Sequence, residues 1–186
     1  MAGTHIKVEV LKREVDEAVS EMPSGDPGWL SNRIGEYVLG ATKDRFDTQR
    51  APDNTPWQPL KRSYARRKKY HQDKILMLRG YLRRQIYPQL EGPWSVLVHA
   101  NMPYAAAHQL GAKIQHKERK AVVRFRTEAG RKLFAKRSEA QSSREVTIGA
   151  HETTLPARPF LGISQVDEQR IMEIVGEWLQ EKRGNP

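Results

Sequence analysis

Alternating apolar and polar positions predict several short strands along this chain. Thr4–Val10 alternates throughout, as expected for a strand with one buried face. Gln85–Leu90 and Trp94–Ala100 flank a Glu-Gly-Pro turn signal and are predicted to pair as a hairpin. Ala121–Arg126 alternates apolar with basic residues, and Glu145–Ala150 has the composition of one more strand.

A second periodicity, with apolar residues three and four positions apart, predicts helices. The two long helices cover Trp29–Gln49 and the residues after Ser164, where Asp167 completes a capping box with that serine. Short helices are predicted at Leu11–Met22 and at Pro103–Gly111, which has proline in its first turn and glycine just past its end. The apolar stripes of the long helices are Leu30, Ile34, Tyr37, Val38 and Ala41, and Ile171, Ile174, Val175, Trp178 and Leu179.

Two proline-rich stretches and one polar stretch interrupt these elements. Ala51–Leu60 contains three prolines and is predicted to be an extended loop anchored by Trp57. Leu155–Gly162 has two prolines around an Ala-Arg pair, which predicts a stiff segment that holds Arg158 at a fixed angle. Thr127–Ser143 is poor in core-forming residues, so we expect a loop or a flexible helical insertion there. These elements predict an α+β fold: a small antiparallel sheet packed by a long N-terminal helix and a C-terminal helix, with extended loops and arms.

Charge changes this picture because the basic residues are concentrated. The chain has 186 residues, no cysteine and a formal net charge of +10. Lys61–Arg84 has ten basic residues against one acid, and Lys113–Arg137 has ten against two. Nucleic acid and acidic proteins are therefore both candidate partners, beside the simpler interpretation of two solvated faces. The lack of cysteine excludes disulfides, and the lack of a long apolar run predicts no secretion signal, no membrane contact and a cytosolic setting.

The sequence contains no recognisable pattern for catalysis or for a cofactor. His99 and His108 are near each other, but their spacing matches no ligand signature, so no metal site is predicted. Phosphate-binding glycine loops and nucleophile elbows are also absent, so we expect no cofactor and no enzyme activity. Tyr64 and Tyr70 interleave with basic residues as in proteins that hold single strands, so a basic nucleic-acid-binding module is the alternative function. The residues predicted to face DNA or an acidic partner are Arg66, Arg67, Lys68 and Lys69.

Three ordered signatures resemble those of a known family. The first is Arg45-Phe46 followed by the Trp-Pro loop Thr55–Leu60. The second is Ile75-Leu76 with Gly80-Tyr81-Leu82, ahead of the predicted hairpin. The third is Pro103-Tyr104-Ala105 with His108-Gln109-Leu110-Gly111 and, later, Pro156–Gly162. In this order they resemble the phage virion morphogenesis family, the tail completion proteins of Mu-like phages and prophages, over Lys7–Leu179.

The resemblance has two departures and implies one domain. Asp53-Asn54-Thr55 stand where family members often have a glycine-rich loop. The basic insertion Lys113–Ser143 looks variable, so no function is attached to it. The implied arrangement is a single tail-completion-like domain over 1–186, with a basic arm at about 50–74 and a basic, flexible insertion at about 113–143.

For function, the resemblance implies a non-enzymatic structural or assembly protein of the phage. It would be a ring-forming tail completion or terminator factor at the head–tail junction. Its implied partners are copies of itself, with a hexamer as one stoichiometry, together with tail tube or sheath proteins and neck or connector proteins. DNA would pass through the ring without sequence readout. The implied location is the virion tail or neck, and the host cytoplasm during assembly.

Individual residues gain roles from the same resemblance. Trp57, Arg158 and Phe160 are predicted to make partner or oligomer contacts. For Arg158 two alternatives stay open, a carboxylate within the subunit or one across a ring contact. The helix Tyr104–Gly111 is predicted to pack on the sheet through Tyr104, Ala107 and Leu110.

Overall fold

The computed structural model describes residues 4–9 and 27–183, and it has the predicted α+β fold. The chain divides into two compact units. We call Met1–Gly111 with Pro156–Pro186 the core unit, and Ala112–Leu155 the basic unit. The predicted helix Leu11–Met22 lies outside the described residues. None of the helices in the part of the chain that the structure describes has the length and apolar character that a bilayer crossing needs.

The described elements are five helices and eight strands. The helices are α1 (Pro27–Thr48), α2 (Arg62–Arg67), α3 (Tyr81–Arg84), α4 (Ala105–Leu110) and α5 (Gln165–Arg183). The strands are β1 (Thr4–Glu9), β2 (Ile86–Gly92), β3 (Ser95–Ala100), β4 (Ala112–His116), β5 (Arg119–Glu128), β6 (Arg131–Phe134), β7 (Ser142–Ile148) and β8 (His151–Leu155). Each of the predicted strands is present within a few residues of its expected ends.

The sheet of the core unit is antiparallel, in the order β1-β3-β2, and contains the predicted hairpin. Every second residue of β3, starting at Val96, is buried, so one face of the sheet points into the core. Helix α1 packs on β2 and β3 where Gly35 lies against the sheet. A Cβ atom on Gly35 would lie 2.7 Å from Val96 Cγ2 and 3.1 Å from Pro88 Cβ, so glycine permits this close approach.

Both long helices bury the predicted stripes, since α1 packs on the sheet and α5 packs on α1. Leu30, Ile34 and Val38 of α1 are fully buried, as are Ile174 and Trp178 of α5. The Trp178 ring packs edge-on against Trp94 with centroids 6.0 Å apart. Burial of large apolar side chains is the main contribution that these helices make to stability.

Helix α4 corrects one packing prediction. Tyr104 is 40% exposed and Leu110 is 77% exposed, whereas Ala105 is buried. The prediction that this helix packs on the sheet through Tyr104, Ala107 and Leu110 was therefore wrong. With only six residues, α4 buries the small side chain at its start, whereas Tyr104 and Leu110 face solvent.

The basic unit corrects the prediction for Thr127–Ser143, which is neither a loop nor a helical insertion. It contains β6, a short 3₁₀ turn and the start of β7, and these strands flank β5 in a sheet of order β6-β5-β7. Ala129 and Gly130 both have positive φ, which is the geometry of a tight hairpin turn. Within this fully described unit no side chain is buried. The strands form by backbone pairing, so the lack of core-forming residues did not indicate a loop.

Candidate functional site

The proline segment, Pro156–Gly162, is an irregular stretch of the core unit held by side chains from distant parts of the chain. Its two prolines have no N–H to donate and keep the backbone extended. The segment belongs to no sheet, so its buried backbone groups need partners from elsewhere. Side chains and backbone atoms from α1, α4 and the Trp57 loop supply them.

Arg45 of α1 holds the C-terminal half of the proline segment. Its Nη1 donates to Phe160 O at 3.0 Å and to Gly162 O at 2.8 Å, and its Nη2 donates to Asp167 Oδ2 at 2.6 Å. Both charged side chains are more than nine-tenths buried. Burial lowers the pKa of Arg45, and the Asp167 carboxylate opposes that shift. The guanidinium thus satisfies two carbonyls and one largely buried carboxylate.

Asp167 joins this network to the start of α5. Its carboxylate accepts hydrogen bonds from Ser164 N at 2.8 Å and Ser164 Oγ at 2.7 Å, while Ser164 Oγ accepts from Asp167 N, so the predicted capping box is confirmed. Burial alone would raise the pKa of Asp167, but the bonds from Ser164 and the charge of Arg45 leave it lowered. Tyr37 donates to the other oxygen at 3.0 Å, and burial together with this bond raises the pKa of Tyr37 to about 12.

Gln109 and Trp57 hold the middle of the proline segment. Gln109 Oε1 accepts from the N–H groups of Phe160 and Leu161, both at 3.0 Å, and Nε2 donates to Leu161 O at 2.8 Å. Trp57 Nε1 donates to Pro159 O at 2.8 Å. The Phe46 ring packs against both Trp57 and Phe160, with centroids 5.6 and 5.5 Å away. Trp57 was predicted to plug into the core or a neighbour, and it is buried in the core unit.

Arg158 makes its contacts inside the core unit, and they are carbonyls where a carboxylate was expected. Its Nε donates to Gln58 O at 2.9 Å, its Nη2 lies 3.4 Å from Pro59 O, and its backbone N donates to His108 O at 2.7 Å. Burial lowers the pKa of Arg158. Burial, with the Arg158 charge in addition, also lowers the pKa of His108. Arg158 therefore fastens the Trp57 loop to the proline segment.

Trp57, Arg158 and Phe160 are thus brought together, and all three are buried in the core unit. Their observed contacts are internal, and their use against a neighbouring copy stays a prediction. Sequence reasoning missed the roles of Arg45 and Gln109 in holding this segment. The pairing of Arg45 with Asp167 spans 122 residues, so no local pattern indicates it.

The predicted basic cluster divides into exposed and buried members. Arg66, Arg67 and Lys69 are exposed beside Tyr64 and Tyr70, which are also exposed. Lys68 is buried instead, and its ammonium donates to the carbonyls of His71 and Lys74. Burial lowers the pKa of Lys68, and the charge of Asp73 opposes the shift. Lys68 therefore closes a turn within the chain, and three of the four residues stay accessible to a partner.

Among the described residues, no group of three or more His, Asp or Glu side chains is placed to hold a metal ion. The fold and the proline segment together define a small α+β protein in which buried polar side chains hold irregular backbone. The model of the phage virion morphogenesis family matches residues 6–180, and the chain belongs to this family. No curated protein and no solved structure matches the chain. Family membership confirms the resemblance and indicates a virion-associated protein with a structural or assembly role.

Proposed function

We propose that this protein is a ring-forming tail completion or terminator factor that acts at the head–tail junction and has no catalytic activity. The observation that carries the proposal is the family match over residues 6–180. Copies of the chain would close a ring, with six copies as one stoichiometry. The ring would contact tail tube or sheath proteins on one side and neck or connector proteins on the other, first in the host cytoplasm and then in the virion.

The clamped proline segment supports a role in ring contacts. A closed ring requires each copy to present the same two surfaces at one fixed angle. The loop Ala51–Leu60, whose residues Gln58 and Pro59 are exposed, would form one of these surfaces. The buried contacts of Trp57, Arg158 and Phe160 would hold this loop at a fixed angle. A neighbour would then meet a loop that loses little conformational entropy on binding.

Electron microscopy of tails assembled with and without this chain tests the proposal. With the chain, we expect one ring at the head-proximal end of each tail, and DNA-filled heads joined to tails. Without it, we expect free tails and filled heads that do not join. Complete, joined particles that lack the polypeptide, or copies present only as isolated monomers in the assembled particle, would contradict the proposed function.

Nucleic-acid binding is the second candidate, favoured by the exposure of Arg66, Arg67 and Lys69 beside two exposed tyrosines. Binding to phosphates would weaken steeply with salt, and replacing these three residues with alanine should reduce the salt slope by about 3. Lys68→Ala is the matched control. The Lys68 ammonium is bonded to carbonyls inside the chain, so its removal should leave the salt slope unchanged. Unchanged DNA retention in the triple variant would remove this candidate.

A further inference from the structure

The basic unit carries an apolar and cationic tip that its own chain leaves uncovered. Phe134, at the end of β6, is 81% exposed although its ring stacks on Phe125 at 5.5 Å. Leu133 beside it is 42% exposed. Strand β6 is also an edge strand, since it pairs only with β5 in its sheet. An exposed aromatic residue on an unpaired sheet edge is a feature that normally marks a contact surface.

Four exposed cations flank Leu133 and Phe134 in the sequence: Arg131, Lys132, Lys136 and Arg137. The ion pairs found among the described residues involve none of them, whereas Arg126 in the same sheet pairs with Glu128 and Glu139. The tip, defined as Arg131–Arg137, therefore offers an apolar centre with an unpaired basic rim. Its complement would be a groove with an apolar floor and acidic walls.

Such a groove is present on the core unit. It is open, with a volume of about 1100 Å³, and lies between α1 and the start of α5. Its walls carry the exposed acids Glu36, Asp44, Asp53 and Glu168, and its apolar lining includes Ile163 and Val166. Val166 is 70% exposed, so a large part of this apolar lining faces solvent.

Three other charged side chains of the groove already have partners within the chain. Arg45 and Asp167 pair with each other at 2.6 Å, and Arg50, the exposed cation of the wall, donates to Asn54 O at 2.9 Å. The bonds from Thr55 lower the pKa of Asp53, so this carboxylate stays ionised through the neutral range. The groove is therefore net acidic where the tip is net basic.

We propose that the Arg131–Arg137 tip of one copy docks into the acidic α1–α5 groove of a second copy. Phe134 would cover Val166 and Ile163, while the basic rim would face Glu36, Asp44 and Glu168. The tip and the groove are different surfaces of the same chain, so the contact is head-to-tail and can repeat from copy to copy until a ring closes. This inference rests on the proposed function and names the contact that would build the ring.

Cysteine cross-linking tests the contact, since the natural chain has no cysteine. We would combine Phe134→Cys with Val166→Cys in the full chain, oxidise at high protein concentration, and separate the products without reductant. The expected result is a ladder of dimers and larger species that collapses when reductant is added. The matched control combines Phe134→Cys with Tyr87→Cys, since Tyr87 is exposed on the sheet face opposite to Pro88 and α1. The Val166 pair should give at least about fivefold more cross-linked product than the control.

Mixing the two single-cysteine chains shows whether the contact joins separate copies. We expect a dimer containing one chain of each kind. Its absence, with the double-cysteine chain cross-linked only within itself, would overturn the proposal. A yield no higher than that of the Tyr87 control would also overturn it. Nuclease treatment completes the test, because loss of the cross-link after digestion would mean that nucleic acid bridged the chains and would equally overturn the contact.

Charge reversal gives a second and independent measurement. Arg131→Glu with Lys132→Glu, or Asp44→Lys with Glu168→Lys, should each lower the cross-linking yield by severalfold. The four changes together should restore it, and failure to restore it in folded chains would count against the contact. Rings seen at tail ends without a Phe134–Val166 cross-link would overturn this docking contact alone. Complete particles without the chain would overturn the proposed function as well.

Discussion

The proline segment of the core unit and the strands of the basic unit satisfy their backbone hydrogen-bonding groups in different ways. Neither contains a long apolar run, yet the N–H and C=O groups of both need partners. In the proline segment, buried side chains such as Arg45 and Gln109 satisfy individual carbonyls and amides. In the basic unit, strands β4 to β8 satisfy one another and bury no side chain.

This difference predicts where stability resides. Apolar burial and buried polar contacts should make the core unit the most stable part of the chain. The basic unit has backbone pairing and exposed ion pairs, which contribute little by themselves. Its stability should therefore depend on what covers it, and this is the property expected of an assembly contact.

The largest effect should follow from breaking the clamp at Arg45. In Arg45→Met, the Asp167 carboxylate and two carbonyls stay buried without their partner, so the free energy of unfolding should fall by about 3–5 kcal/mol. Urea unfolding measures the change. Arg126→Met is the control from the basic unit, since its two ion pairs are exposed and its loss should cost under about 1 kcal/mol. Equal effects of the two changes would contradict the comparison.

A smaller effect is expected where α1 approaches the sheet. Gly35→Ala places a Cβ atom 2.7 Å from Val96 Cγ2, and this crowding should destabilise the chain by about 1–3 kcal/mol. Gly40→Ala in the same helix meets nothing within 4 Å and should instead stabilise by about 0.5–1 kcal/mol. Thermal unfolding of the two variants distinguishes them, and stabilisation by both would show that the helix lies further from the sheet.

Acid should weaken the clamp through Asp167. The pKa of Asp167 is lower in the folded chain than its unfolded value of about 4. The stabilisation is therefore fully present above about pH 4 and is lost as the pH falls through the folded pKa. Urea midpoints measured between pH 7 and pH 2 should show this loss. In Asp167→Asn the loss should be smaller, and an unchanged acid dependence would rule out this carboxylate as its source.

The smallest effect on stability should come from Phe134. Because its side chain is largely in water, Phe134→Ser should change the free energy of unfolding by less than about 0.5 kcal/mol. Phe160→Ala, which empties a fully buried site, should cost about 3–5 kcal/mol. Calorimetry of both variants compares the two units directly. A large loss of stability in Phe134→Ser would show that this ring is already covered in the free chain.

The sequence predicted those parts of the fold that depend on local pattern. The stripes of α1 and α5, the hairpin of β2 and β3 and the capping box at Ser164 follow from periodicity and from residue pairs three positions apart. Strand β6 and the start of β7 were missed because charged residues on both faces remove the alternation that identifies a strand. The Ala129-Gly130 turn, with its glycine, was the signal that could have indicated them.

The candidate site was predictable only in outline. Its prolines and Trp57 marked a stiff loop, but the partners of Arg158 were expected to be carboxylates and are carbonyls. Lys68 was grouped with its exposed neighbours, although it turns inward to bind His71 and Lys74. Such contacts depend on the tertiary arrangement of the chain, which residue charge and sequence spacing do not predict.

Hydrogen exchange on the free chain and on assembled tails measures directly whether assembly covers the basic unit. We expect the amides of Arg158, Phe160 and Leu161 to be protected in both states, because each is bonded inside the core unit. The amides of β5 to β7 should exchange quickly in the free chain and become protected on assembly. Protection of β5 to β7 that is equal in the two states would contradict the claim that assembly covers the basic unit.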